Sequence, residues 1–272
     1  MMLTTLQRYK LSARISGYRG GTGPAMVLIH GVGLCADAWG AMIPFLEKHF
    51  SLSVLDMPGH GESPCFSKSP QLNDYTNAVA EVLSGMDGPS IVVGHSMGAL
   101  ISMDLAIRHP NLVSAIAPLN AVFRRSGSAK RSVIERAVDI QKNGAADPSA
   151  TLARWFGERP TGMLKEANDQ CHQWLIKVDP VGYSHAYSVF ANEDGPQEAQ
   201  LRSVRCPALF MTGAEEPNST PEMSRTLADL VSMGSMIIVP EARHMMPMTH
   251  PEIVSKYLID WHANSEVAHA SF

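Results

Sequence analysis

The amino-acid sequence predicts an α/β fold, with a mostly parallel eight-stranded sheet and helices on both of its faces. The first observation is that short apolar runs alternate with helical stretches over most of the 272 residues. Such alternation is typical of parallel strands joined by right-handed helical crossovers. The second is a single interruption, since residues 122–201 contain no convincing apolar strand. The third is the sequence GHSMG at residues 94–98, between a predicted strand and a predicted helix.

The elements follow in order along the chain. Residues 6–16 indicate a leading hairpin, which is followed by glycines at positions 17, 20 and 21. Residues 25–29 read AMVLI and predict a buried strand through their unbroken apolarity. Further apolar runs predict strands over residues 51–55, 90–93, 113–117, 208–211 and 235–239. Helical patterns predict helices over residues 37–49, 73–86, 99–109, 222–231 and 252–263.

The interruption predicts an insertion at one edge of the sheet. Residues 122–201 are mostly helical, mix polar and aromatic side chains, and fall between two predicted strands. We therefore expect residues 1–121 and 202–272 to form the core and residues 122–201 to form a helical cap. The alternative is that these are ordinary surface helices with no such role.

Composition and charge restrict the classes of function. A formal net charge of −4 gives no electrostatic reason to expect binding of nucleic acid or of an anionic membrane. No apolar run is long enough to span a membrane, and residues 1–10 lack a signal-peptide pattern. The four cysteines are far apart, so we expect reduced thiols, no metal site and a cytoplasmic location. The expected partner is a small-molecule substrate, and the assembly is left open, with a homodimer among the alternatives.

The sequence at residues 94–98 predicts a nucleophile elbow with Ser96 at its tip. A sharp turn from strand to helix forces the serine into a strained backbone conformation. Only very small flanking residues let the two elements pack so closely, and Gly94 and Gly98 meet that requirement. A match to this pattern can arise by chance, so the prediction depends on the strand before the motif and the helix after it.

A serine nucleophile needs a base, and the base needs a carboxylate. Of the eleven histidines, His244 follows the last predicted strand, so its loop lies at the same sheet edge as the elbow. Glu215 and Glu216 follow the preceding strand, where a carboxylate would fix the tautomer of the histidine. We choose Glu216 as the acid and keep Glu215 as the alternative. Asn120, after the strand over residues 113–117, occupies another place for such an acid, but it is an amide.

Residues 30–33, with the sequence HGVG, follow the first buried strand and predict an oxyanion hole. The backbone N–H groups of Val32 and Met97 would converge on the negative oxygen of a tetrahedral intermediate. Gly31 and Gly33 would let the main chain approach closely. A phosphate-binding loop is the weaker alternative, because no Lys-Ser or Lys-Thr pair follows.

Five segments have the order and spacing that resemble the α/β-hydrolase superfamily over nearly the whole chain. They are HGVG at 30–33, DMPGHGES at 56–63, GHSMG at 94–98, Gly213-x-x-Glu216, and His244. The resemblance is to the branch with a helical cap, which includes carboxylesterases, lactonases, carbon–carbon hydrolases and cofactor-free haloperoxidases. It implies the α/β-hydrolase fold and the chain order serine, acid, histidine. The departure is Glu216, because the family usually has aspartate there.

The resemblance also narrows the chemistry. Related dehalogenases and epoxide hydrolases carry an aspartate nucleophile, so Ser96 argues against both. Carbon–carbon hydrolases often carry tryptophan directly after the catalytic histidine, whereas Met245 follows it here. An arginine from the basic run between residues 124 and 136 could hold a substrate carboxylate. We expect the substrate pocket between the sheet edge and the cap, lined by His30, Met245, Trp155, Trp174 and Tyr187.

These inferences predict a serine hydrolase that cleaves an ester, lactone or amide-type bond of a small, partly apolar molecule. Ser96 would form an acyl-enzyme with the help of His244 and Glu216, without a metal or an organic cofactor. Two enzymatic alternatives are carbon–carbon bond hydrolysis of a diketone acid and cofactor-free perhydrolase chemistry. The non-enzymatic alternative is a small-molecule receptor on the same fold.

Overall fold

The structure, a computed structural model, describes residues 5–144 and 147–269. Its strands form one mostly parallel, eight-stranded sheet, which confirms the predicted fold class. The strands are β1 (Gln7–Lys10), β2 (Ser16–Gly20), β3 (Ala25–Ile29), β4 (Ser51–Asp56), β5 (Ser90–His95), β6 (Val113–Leu119), β7 (Ala208–Gly213) and β8 (Gly234–Val239). Their order across the sheet is β1-β2-β4-β3-β5-β6-β7-β8. The pairs β1–β2 and β2–β4 are antiparallel, and the other neighbours are parallel.

Helices cover both faces of the sheet. They are α1 (Ile43–Leu46), α2 (Leu72–Ser84), α3 (Met97–Arg108), α4 (Gly127–Asn143), α5 (Ser149–Phe156), α6 (Gly162–Lys177), α7 (Pro180–Asn192), α8 (Glu198–Leu201), α9 (Pro221–Leu230), α10 (Met246–Thr249) and α11 (Pro251–His269). Within the described ranges, none of them combines the length and apolarity needed to cross a bilayer.

The prediction of one helix over residues 37–49 is wrong. The chain there forms a 3-10 turn, Ala36–Trp39, and then the short helix α1. Gly40 separates the two pieces, and Pro44 lacks the N–H that would bond back to Gly40 in a continuous helix. The other predicted helices are present with shifted ends.

The central strands are apolar because both of their faces are buried. Val27 and Ile29 of β3 face one layer of helices, where they join a cluster with residues of α2 and α3. Met26 and Leu28 face the opposite layer, with residues of α1 and α11. Burial on both sides explains the unbroken apolar runs in the sequence. The sheet is thus a packed support for the loops at the carboxyl ends of its strands.

Helices α4 to α8 lie between β6 and β7, and we call them the inserted helices. Ile140 of α4 and Leu152 of α5 share a buried apolar cluster with Leu34 and Met245, which come from loops of the core. The inserted helices therefore pack against the loops at the carboxyl edge of the sheet.

One main-chain contact fixes α7 against the core. A Cβ on Gly182 would lie 2.1 Å from the carbonyl oxygen of Gly59, so only glycine fits. Gly59 itself has φ of 80°, in the left-handed region that favours glycine. Beside this contact, the carboxylate of Asp179 accepts the N–H of Gly182 at 2.8 Å and the thiol of Cys65 at 3.1 Å. The beginning of α7 is therefore tied to the loop that follows β4.

Candidate active site

Ser96 lies at a tight turn between β5 and α3. Its φ of 57° and ψ of −115° lie outside the backbone regions that residues other than glycine ordinarily adopt, so the turn is strained. A Cβ on Gly94 would lie 2.0 Å from the carbonyl oxygen of Gly98, and a Cβ on Gly98 would lie 2.3 Å from that of Ile29, which explains both glycines. The Ser96 N–H donates to the carbonyl of Leu119, at the end of β6, over 2.9 Å. The strand, the turn and the helix have the geometry of a nucleophile elbow.

His244 and Glu216 form a buried pair. Nδ1 of His244 lies 2.9 Å from Oε2 of Glu216, so a proton on Nδ1 is donated to the carboxylate. Oε1 of Glu216 accepts the N–H groups of Asn218 at 2.7 Å and of Ser219 at 3.3 Å. The Asn120 amide donates to Oε2 at 3.4 Å. Donors on both oxygens therefore fix the orientation of this carboxylate.

Burial and charge act on Glu216 in opposite directions. Burial raises the pKa of its carboxyl, but His244 and the N–H groups of Asn218 and Ser219 outweigh burial and hold the pKa below its ordinary value. Glu216 is therefore ionised at neutral pH. An ionised carboxylate at Nδ1 keeps the proton there and leaves Nε2 of His244 free to accept one.

Glu215, the alternative acid, points elsewhere. Its Oε2 pairs with Nη2 of Arg243 at 3.0 Å, and both side chains are exposed. Its N–H donates to the carbonyl of Ala242 at 2.9 Å. The structure therefore brings Glu216, and not Glu215, to His244.

His95 supports the loop that carries His244. Its Nε2–H donates to the His244 carbonyl at 2.8 Å, and the two ring centroids are 4.8 Å apart. Burial, together with the charge that His244 can carry, lowers the pKa of His95 to about 3. His95 is thus a neutral donor at neutral pH, and it ties β5 to the loop after β8.

The loop at residues 30–33 lies against the elbow. A Cβ on Gly31 would lie 3.0 Å from the Cβ of Ser96, so glycine allows the close approach. Nε2 of His60 accepts the N–H of Gly33 at 3.0 Å and holds the loop in place. Met97 is the first residue of α3, where a backbone N–H has no partner within the helix. The N–H groups of Val32 and Met97 therefore belong to the two segments that flank Ser96.

A cavity of about 450 Å³ is bounded by the sheet edge and the inserted helices. Ser96, His244 and Val32 line it from the core, and Trp155 and Tyr187 line it from α5 and α7. Its volume lies in the range of sites for small molecules. The structure thus places the predicted nucleophile, the predicted base and two predicted pocket residues around one cavity.

Three other predicted pocket residues are not in the lining. Trp174 and Met245 pack into the apolar cluster beneath the inserted helices, where burial of their apolar surface is favourable. His30 is buried with both ring nitrogens occupied by main chain. Its Nδ1–H donates to the Gly31 carbonyl at 2.7 Å, and its Nε2 accepts the N–H of Met57 at 3.0 Å. His30 therefore positions the loop and does not face the cavity.

Three arginines line the same cavity. Arg125 is paired with Asp194 at 2.6 Å, yet its buried Nη1 has no hydrogen-bond partner among the described residues. Arg136 and Arg154 form no ion pair with a carboxylate in the described part of the chain, and both donate to the hydroxyl of Thr151, at 2.7 and 3.3 Å. The arrangement leaves positive charge in the cavity that a ligand can neutralise.

Sequence reasoning missed several residues around these groups. Asn218 and Ser219 contribute backbone N–H groups to Glu216, so their side chains carry no signal. Arg154 and Thr151 lie on α5, and their place in the cavity depends on how that helix packs. The basic run did indicate arginines for a carboxylate, and two of its members, Arg125 and Arg136, line the cavity.

Comparison with known proteins agrees with the fold and the site geometry. The model of the alpha/beta hydrolase family matches residues 26–256. The chain is 38% identical to (E)-2-((N-methylformamido)methylene)succinate hydrolase of Acinetobacter baylyi, over 89% of this chain and 91% of the relative. It is 26% identical to pimeloyl-[acyl-carrier protein] methyl ester esterase of Aromatoleum aromaticum, over 84% and 94%. A solved esterase from Thermogutta terrifontis has a TM-score of 0.83 at 22% identity, over 95% and 99%.

The match of the family model spans most of the chain, and the first of these relatives is similar over nearly its full length. The observed sheet order and the strained serine turn are consistent with both findings. The chain therefore belongs to the alpha/beta hydrolase family, and it is a hydrolase of that fold.

Proposed function

We propose that this protein is a serine hydrolase that cleaves the amide bond of a small unsaturated dicarboxylate of the amidomethylene-succinate kind. The observation that carries the proposal is one cavity lined both by Ser96 and His244 and by the guanidinium groups of Arg136 and Arg154. The site therefore offers a nucleophile with its base, together with positive charge that is not neutralised within the described part of the chain.

The chemistry of the relative's substrate fits this combination. The name of the Acinetobacter baylyi enzyme describes an amide group joined through a methylene carbon to succinate, which has two carboxylates. Guanidinium groups bind carboxylates with paired, charge-assisted hydrogen bonds. In this proposal Arg136 and Arg154 hold one carboxylate of the substrate.

The first half of the reaction uses the three residues at the sheet edge. Nε2 of His244 takes the hydroxyl proton while Oγ of Ser96 attacks the amide carbonyl, and Glu216 stabilises the imidazolium. The backbone N–H groups of Val32 and Met97 hold the tetrahedral oxyanion. The C–N bond then breaks, the nitrogen leaves with the proton from His244, and the acyl group stays on Ser96.

The second half returns the enzyme to its starting state. His244 takes a proton from water, and the hydroxide oxygen attacks the acyl carbon. The ester bond to Ser96 breaks, its oxygen recovers the proton from His244, and the carboxylic acid is released. Every proton is moved by His244, so this sequence of steps consumes only water and substrate.

The inserted helices act as the cap in this proposal, with residues 122–201 as the substrate-selecting unit and the remaining residues as the core. Trp155, Tyr187 and the three arginines reach the cavity from that segment. The catalytic groups come from loops at the ends of β3, β5, β7 and β8. Substrate choice and bond cleavage are thus assigned to different parts of the chain.

The test is hydrolysis of (E)-2-((N-methylformamido)methylene)succinate by the purified protein, which is measured as the release of formate. Ser96→Ala is expected to abolish turnover. Arg136→Gln is expected to raise KM by about tenfold to a hundredfold, because a charge-assisted hydrogen bond contributes about 1.5 to 3 kcal/mol. Its matched control is Arg131→Gln, an exposed arginine of the same helix that does not line the cavity.

A neutral aryl acetate is the companion substrate. Arg136→Gln should leave its hydrolysis unchanged, because this ester has no carboxylate. If the wild-type protein turns over the aryl ester readily and the dicarboxylate only slowly, the proposed substrate class is overturned. Faster cleavage of a diketone acid would favour carbon–carbon hydrolysis, and no labelling of Ser96 by a fluorophosphonate would favour a receptor.

A further inference from the structure

The indole ring of Trp155 stacks against the ring of His244. The two ring centroids are 5.3 Å apart and the planes differ by 23°, so the rings are stacked. Trp155 is half-buried and belongs to α5, one of the inserted helices. A residue outside the sheet-edge loops therefore covers one face of the imidazole.

The stack is supported from both sides by packing. Leu152 and Phe156 of α5 are buried in the same apolar cluster as Met245, the residue that follows His244. The helix that carries the indole and the loop that carries the imidazole are therefore anchored to one cluster. The packing of Leu152, Phe156 and Met245 therefore sets the position of the indole relative to the imidazole.

The same helix also carries a polar group of the cavity. Thr151, one turn before Trp155, accepts hydrogen bonds from Arg136 at 2.7 Å and from Arg154 at 3.3 Å. One turn of α5 thus links the arginines to the ring that covers His244. A ligand held by the arginines lies next to the element that supports the base.

We propose that Trp155 is a positioning residue for His244, an inference that rests on the proposed serine-hydrolase function. The indole keeps the imidazole in the plane in which Nδ1 faces Glu216, and its π face stabilises the imidazolium while the proton of Ser96 resides on it. A cation over an indole face is the most favourable cation–π arrangement in proteins. Trp155 itself neither gains nor loses an atom or an electron.

Several charged or titratable groups face His244 and must be considered in any pH experiment. Glu216 bonds to Nδ1, and His95 of β5 bonds to the backbone carbonyl. Arg136 and Arg154 share the cavity with the ring. The experiment therefore needs a readout that belongs to the contact between Trp155 and His244.

The first measurement is the rate at which a fluorophosphonate labels Ser96, which does not depend on the identity of the substrate. Trp155→Leu is expected to lower this rate about tenfold, the size of a cation–π contribution, while Trp155→Phe retains most of it. Trp174→Leu is the matched control, because Trp174 is a partly buried tryptophan of the same cluster that lies outside the cavity lining. Equal losses in Trp155→Leu and Trp174→Leu would overturn the proposal.

The second measurement is indole fluorescence of the protein without substrate, taken as the wild-type spectrum minus that of Trp155→Phe. A protonated imidazole quenches an indole in contact with it, so this difference should fall as the pH is lowered. The fall should be absent in His244→Gln. The proposal would be overturned if the fluorescence difference did not change with pH, or if the same change occurred in His244→Gln.

The two measurements also separate this inference from the proposed function. If wild-type protein is not labelled by the fluorophosphonate, the serine-hydrolase function fails, and the fluorescence still reports on the ring pair. If labelling is normal and the fluorescence shows no coupling to His244, the function stands and the role of Trp155 is lost.

Discussion

At Glu216, one carboxylate has donors on both of its oxygens. His244 and Asn120 bond to one oxygen, and the N–H groups of Asn218 and Ser219 bond to the other. Glutamate has a longer side chain than the aspartate that is usual in the family. Here the loop after Glu216 donates hydrogen bonds to its carboxylate, on the oxygen that does not face His244. The residue can therefore be both buried and ionised, which is what stabilising an imidazolium requires.

Glu216→Gln should lower kcat of the proposed reaction by about a hundredfold or more, because the neutral amide no longer stabilises charged His244. The shape of the side chain is kept, so KM should change little. Steady-state kinetics on the dicarboxylate and on an aryl ester give both parameters. The comparison variant is Glu215→Gln, which removes only an exposed pair with Arg243 and should behave like the wild type. A loss at Glu215 equal to that at Glu216 would contradict the assignment.

At the scale of elements, the strands and the loops that follow them were predictable, and the packing of the inserted helices was not. The strands that precede the loops of Ser96, Glu216 and His244 contain apolar runs, so these loops could be placed at one edge of the sheet. Helix α4 buries only Ile140 fully among its described residues, so no apolar stripe shows which face turns inward. Trp174 of α6 was expected in the pocket, but it packs in the apolar cluster beside Cys171 and Leu175 of its own helix.

The contact between α7 and the loop after β4 gives a prediction for an element. Gly182→Ala should lower the free energy of unfolding by about 2 kcal/mol or more, because the new methyl group would overlap the carbonyl oxygen of Gly59 and force the two main chains apart. Gly127→Ala is the matched control, since a Cβ at that first residue of α4 meets no atom closer than 3.5 Å. Urea denaturation compares the two variants. A wild-type midpoint for Gly182→Ala would show that α7 is free to shift.

At the scale of the whole molecule, three neutral histidines are built into the core around the candidate site. Burial lowers the pKa of His30 to about 4 and of His60 and His95 to about 3. Each ring bonds to main chain that belongs to another segment, so the three rings join the loop at residues 30–33, the loop after β4 and the loop of His244. The neutral forms of these side chains are therefore part of the folded structure.

The stability of the protein should consequently depend on pH in the acid range. In the unfolded chain these histidines take up protons below about pH 6.5, whereas in the folded chain they stay neutral until far lower pH. The unfolded state binds more protons, so stability should fall as the pH drops from 6.5 toward 4, by up to about 1.4 kcal/mol per pH unit for each histidine.

Thermal or urea denaturation from pH 8 to pH 4 measures this dependence. His60→Gln keeps an acceptor for the N–H of Gly33 but cannot be protonated, so it should flatten the acid slope. An unchanged slope in that variant, or a wild-type stability that is constant down to pH 4.5, would contradict the account.

The main-chain contact between Gly59 and Gly182 has a consequence for how this molecule can diversify. A contact between two backbones requires only that both positions stay glycine, and it is indifferent to the side chains of every other residue in α4 to α8. Neither Gly59 nor Gly182 lines the cavity, so this contact and the cavity lining depend on different residues. Lining residues such as Tyr187 of α7 can therefore be exchanged without altering the two glycines that form this contact.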